Sequence, residues 1–118
     1  MAQHIELGKQ GEQLAVNWLV DKGYTILHRN WRCGKYELDI IATKDGLVHV
    51  VEVKVRSSMQ FGFPEENVSK KKFNSIKLGA EEFLFQHPEF HNIQFDILSI
   101  NIVNGTENEF FFIEDVFL

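Results

Sequence analysis

Glu37, Asp39, Glu52 and Lys54 have the most chemistry to offer, because they set three acids and a lysine among the Ile, Val, Leu and Tyr residues of positions 36–55. Two strand-forming runs, 36–43 and 47–55, flank Lys44-Asp45-Gly46, and the Asp-Gly pair favours a two-residue hairpin turn. With Asp45 and Gly46 as that turn, Asp39 falls opposite Glu52, and Glu37 opposite Lys54. Strand side chains alternate, so these four share one face, while Leu38, Ile40, Val51 and Val53 take the other. Carboxylates facing one another weaken a sheet unless a cation, a shared proton or a lysine compensates. A divalent ion is the first candidate, and hard oxygen ligands suit Mg²⁺ or Mn²⁺.

Stepping outward along the chain, residues 3–22 read as a helix in which Leu7, Leu14, Ala15, Trp18 and Leu19 form an apolar stripe and Lys22-Gly23 is the stop. Gly8 and Gly11 each cost about 1 kcal/mol inside a helix, which implies that another backbone approaches there. Glu12 shares a face with Ala15 and Leu19 and can point toward the sheet. Tyr24–Arg32 reads as the first strand. The segment 57–66, with Gly62-Phe63-Pro64, is a loop able to approach substrate. A second helix spans 67–86, capped by Asn67 or Ser69, with Phe73, Ile76, Ala80, Phe83 and Leu84 as its buried stripe. Lys70, Lys71 and Lys72 oppose the helix dipole in its first turn, which suits a partner as well as a solvated face. Lys72 flanks one edge of the stripe and Lys70 and Lys77 the other; periodicity does not choose between them. Residues 93–103 and 109–118 read as closing strands joined by the Asn104-Gly105 turn signal. The order is helix, three strands, helix, two strands, an α+β arrangement over a single domain, 1–118.

Asp39 followed by Glu52-Val53-Lys54 resembles the Asp…Glu-x-Lys signature of the restriction-endonuclease-like, or PD-(D/E)XK, phosphodiesterases. More of the chain agrees. Gly8-x-x-Gly11-Glu12, Gly23-Tyr24, Asn30-x-Arg32, Glu37–Ile41, Val51–Arg56, Lys72 and Phe95-Asp96 together resemble the YraN-like family of small uncharacterised bacterial proteins in that superfamily. Gln94 departs from the pattern, standing where an arginine is expected.

The resemblance implies a restriction-endonuclease-like core, a mixed central sheet flanked by helices, and a metal-dependent nuclease acting on DNA, including structured or branched DNA, more than on RNA. Cutting a phosphodiester by in-line attack of water calls for a metal that activates the nucleophile and stabilises the transition state. By the same resemblance, Asp39, Glu52 and the Val53 carbonyl bind Mg²⁺ or Mn²⁺, with Glu12 as an outer ligand. Lys54 orients the attacking water or neutralises the phosphate, Glu37 supports Lys54, and Arg56 and Lys72 contact backbone phosphate. The competing readings are a nucleic-acid binder without turnover and a protein-interaction module built on the aromatic C-terminus. Phe110, Phe111, Phe112 and Phe117 offer apolar side chains to both faces of the last strand, so a homodimer through that strand is expected, against a monomer whose second helix covers one face.

At 118 residues, with 44% hydrophobic and 25% charged side chains, the chain is an ordinary globular domain. It lacks an apolar run of membrane-spanning length and a signal-peptide pattern, which predicts a cytoplasmic protein. A lone Cys33 excludes an internal disulfide. The net charge of −5 is unusual for a nucleic-acid binder, but Glu12, Glu37, Asp39 and Glu52 supply most of it, so the deficit is local to the proposed site. By parity His49 falls on the face opposite Glu52, and the five histidines have no zinc spacing.

Overall fold

The computed structural model describes residues 2–56, 70–102 and 108–116, with side chains from residue 9 onward. Helix α1 (Ala2–Asp21) leads into β1 (Thr25–Cys33), β2 (Tyr36–Lys44) and β3 (Leu47–Arg56); α2 (Lys70–Gln86) is followed by β4 (Ile93–Asn101) and β5 (Glu109–Ile113). The strands form one sheet in the order β1-β2-β3-β4-β5. Among the described strands only β3 and β4 run parallel. A parallel pair needs a long crossover, and α2 lies within it. This is the expected α+β order with a mixed sheet, compatible with an endonuclease-like core. The expected loop at 57–66, the caps Asn67 and Ser69, and the Asn104-Gly105 turn lie outside the described residues.

The central hairpin forms as its turn chemistry dictates. Asp45 and Gly46 both adopt left-handed backbone, with φ of 52° and 79°, which a type I′ turn requires. The register then runs Lys44↔Leu47, Thr43↔Val48, Ala42↔His49, Ile41↔Val50 and Ile40↔Val51, as the turn predicts. There it stops. Leu38 also leaves the alternation expected of it: it packs under α2 with Ile41, Val50, Ile76 and Phe83, while Ile40 faces α1 beside Ala15, Leu19 and Val51. Once the ladder ends, Asp39 is released from pairing, and its carboxylate accepts the Val53 N–H at 2.9 Å.

The two helices cover opposite faces. On α1, Ala15 and Leu19 are fully buried, with Leu14 and Trp18 packed beside them. The close approach at Gly11 comes from a side chain and not from the expected backbone, because the Val55 methyl groups occupy the space of a Cβ there. On α2, Phe73, Ile76, Gly79, Ala80 and Phe83 are buried. A Cβ at Gly79 would stand 3.1 Å from Tyr36 Cβ and 3.3 Å from a Leu38 methyl, so glycine sets how low α2 rides over β2.

Strand β5 is shorter than the expected 109–118. Asp115 turns the chain with φ 56°, its N–H donates to Asp96 at 3.0 Å, and Val116 N–H donates to the Phe95 carbonyl at 2.8 Å. Phe110 stacks on Trp18 with ring centroids 6.0 Å apart, and Phe112 packs against the same ring at a tilt, 5.1 Å away. Phe111 points the other way and is 57% exposed; Phe117 is outside the described residues. No helix among the described residues is long and apolar enough to cross a membrane.

Candidate active site

The end of the β2/β3 ladder opens beneath the first turns of α2. An open cleft of about 240 Å³ there is lined by Lys35, Glu37 and Asp39 of the β1–β2 turn and β2, Glu52 of β3, and Lys72, Ser75 and Ile76 of α2. Lys72 stands seven residues, two helical turns, before Gly79, and so on the same face of α2 as the residues docked on the sheet. That resolves which edge of the stripe faces the site. Lys72 Nζ lies 3.0 Å from Glu52 Oε1.

Glu52 is only 7% exposed. Asp39 is partly buried beside it, and the pair meets its mutual repulsion with two of the three compensations open to it. Burial first, then the Glu52 charge and a hydrogen bond between the two carboxyls, push the Asp39 pKa up to about 7 against the Val53 N–H and Lys72, which both favour the anion. Asp39 therefore keeps its proton well above the ordinary carboxylate range, and Lys72 supplies a cation from the helix. Burial works against the Lys72 charge, but Glu52, Lys54 and Asp39 outweigh it and hold the pKa above its ordinary value. Lys54 lies within reach of all three: burial and the neighbouring Lys72 lower its pKa, against the pull of Glu52 and Asp39.

The remaining sequence-derived candidates fall elsewhere. Glu37 lines the cleft but pairs with Arg32 of β1 at 3.3 Å and not with Lys54, since the β2/β3 register no longer aligns the two. Glu12 accepts from Arg29 Nε at 3.1 Å and from Asn30 Nδ2 at 2.9 Å to each oxygen. Asn30, at φ 52°, falls between residues paired with Ile40 and Leu38, which puts it next to Asp39 in the sheet. Glu12 thus stands one residue removed from the cleft through Asn30. Arg56 closes β3 opposite Asn101 of β4. Sequence reading missed Lys35 and Ser75. Lys35 follows Gly34, whose φ of 58° marks the β1–β2 turn, and that turn was the available signal.

Among the described residues no three His, Cys, Asp or Glu side chains converge as a metal cage. Mg²⁺ does not need one, because it keeps several waters and is commonly held by one or two carboxylates. Two adjacent carboxyls, one of which favours a proton, are a donor set of that kind, and a metal bound by both would displace that proton.

The opposite face carries a different acid. His49 Nδ1 donates to Asp96 Oδ2 at 2.7 Å, and Gln94 Nε2 and Asp115 N–H donate to Oδ1 at 2.8 and 3.0 Å. His49 is on the α1 side, edge-on to Tyr24, as parity predicts. Gln94, the departure noted in the sequence, supplies a neutral donor to Asp96.

The model of the uncharacterised protein family UPF0102 matches residues 11–100. Similar chains include UPF0102 proteins of Phocaeicola vulgatus, 44% identical over 85% of this chain and 83% of the relative, and of Flavobacterium psychrophilum, 42% identical over 85% and 84%. One from Syntrophomonas wolfei is 44% identical over 85% of this chain and 88% of its own.

Proposed function

The chain belongs to the uncharacterised protein family UPF0102, the YraN-like family its motifs resemble, and from the site its fold builds we propose a metal-dependent nuclease that hydrolyses phosphodiester bonds in DNA. The observation that carries this reading is the convergence of Asp39, Glu52, Lys54 and Lys72 at one cleft, with two acids short of positive charge and two lysines beside them. Asp39 and Glu52, with the Val53 carbonyl, would hold Mg²⁺ or Mn²⁺. When bound, that ion supplies an activated water and neutralises charge on the transferring phosphoryl group.

The chain's own residues do the rest. Lys54, its pKa lowered by burial and by Lys72, has the character of a group that orients the attacking water or neutralises phosphate. Lys72, Lys35 and Arg56 provide cations for phosphate oxygens, which give affinity without reading base sequence. Glu12 acts at one remove, fixing Asn30 and Arg29 beside Asp39. The test is cleavage of single-stranded, duplex, flapped and four-way-junction DNA, and of RNA, with Mg²⁺, Mn²⁺ or chelator. Metal-dependent products that vanish in Asp39→Asn support the reading. No cleavage of any substrate, with wild type and Asp39→Asn equal in metal binding, would sink it.

A further inference from the structure

The Glu52 carboxylate has two claimants. It is almost fully buried, and the Lys72 ammonium already lies 3.0 Å from its Oε1. A divalent ion held by Asp39 and Glu52 needs the same carboxylate. Its two oxygens could be divided between them, but the two cations repel one another at that distance, so each weakens the other's hold on the carboxylate. Lys72 is able to yield, because its side chain is 45% exposed and an ammonium on a four-carbon stem re-aims easily.

We propose that Lys72 is an internal counter-cation that competes with divalent metal for Glu52. This rests on the metal-binding reading above and adds its regulation. With both acids ionised, Asp39 and Glu52 match the charges of Lys54 and Lys72, so the metal-free cleft has less pull on a polyanion than the loaded one. A divalent ion converts it to a net positive cleft and frees the Lys72 ammonium beside it. The cleft then attracts phosphate more strongly when it is loaded.

Calorimetric titration of Mn²⁺ into wild type, Lys72→Met and Lys35→Met tests this. Lys35 lines the same cleft without pairing with Glu52, so its variant controls for simple loss of positive charge. Lys72→Met should bind Mn²⁺ about fivefold more tightly than wild type, the scale of one partly exposed ion pair, and Lys35→Met should stay within about twofold. Unchanged or weaker binding by Lys72→Met, with wild type still binding, overturns the competition and leaves the metal reading standing. Equal tightening in both variants also overturns it, since the effect would then be a general field. If neither wild type nor Lys72→Met binds Mn²⁺, the metal reading and the competition fall together.

Discussion

Asp39 and Asp96 sit on opposite faces of the same sheet, the first partly and the second fully buried, and differ in what completes them. Three donors close on Asp96: an imidazole, an amide side chain and a backbone N–H. Asp39 has the Val53 N–H and then meets another carboxyl. A buried acid whose lone pairs are filled by neutral or titratable donors is a fastening, and here it ties β3, β4 and the segment after β5 together. A buried acid facing a second acid is held in place by the fold but left short of positive charge. Burial alone does not separate the two; the list of donors does.

The sharpest way to break the contrast is on the reaction. Lys54→Ala and Asp39→Asn should each lower cleavage by about a thousandfold or more, on the order of 4 kcal/mol in the barrier. Lys54→Ala should retain metal binding and Asp39→Asn should lose it. Steady-state kinetics with metal titration reads both.

Removing the fastening should show in stability instead. Asp96→Ala strands three donors in a dry site and should cost about 3 kcal/mol by urea denaturation. Asp39→Asn, measured in the same way without metal, should be neutral or stabilising, because it removes a like-charge pair. If the two aspartates cost the same, the distinction between them is wrong.

Metal should stabilise wild type by about 2.7 kcal/mol at a hundredfold excess over Kd, read as a rise in Tm, and should leave Asp39→Asn unmoved. Without metal, pH gives a related signature. The Asp39 pKa is raised from its ordinary 3.8 to about 7, so the folded state holds a proton that the unfolded chain releases. That contribution is complete below about pH 3.8 and is lost as pH rises through about 7. Wild type should therefore lose stability over that window relative to Asp39→Asn, and saturating Mg²⁺ above pH 7 should narrow the gap. The smallest effect belongs to Lys72→Ala, which should weaken duplex binding and reduce its salt slope by about 1.

Much of this was legible in the residues. Asp45-Gly46 determined the hairpin register, because only left-handed residues fit that turn, and the register placed Asp39 near Glu52. Helical spacing identified Ala15, Leu19, Phe73, Ile76, Ala80 and Phe83 as buried. What escaped depended on where regularity ends. Continuing the ladder past Ile40 and Val51 put Glu37 against Lys54 and Leu38 on the face of Ile40, whereas the released Asp39 carboxylate takes a backbone N–H there. Asp115 carried no pattern that announced its left-handed turn. Lys72 could be assigned to an edge of its stripe, but only the docking of α2 on β2 decides which edge meets Glu52.

That docking depends on a missing methyl group. At Gly79 the helix rides against Tyr36 with so little clearance that alanine would need a shift of a few tenths of an ångström. A helix is stiff, so such a lift is not absorbed locally: it carries to the far end, two turns away, where Lys72 would have to re-aim to keep its 3.0 Å contact with Glu52. The tolerance of the cleft is therefore set at a position that touches neither acid nor lysine. Graded substitutions at Gly79 would act as a mechanical dial on the charge balance of the site.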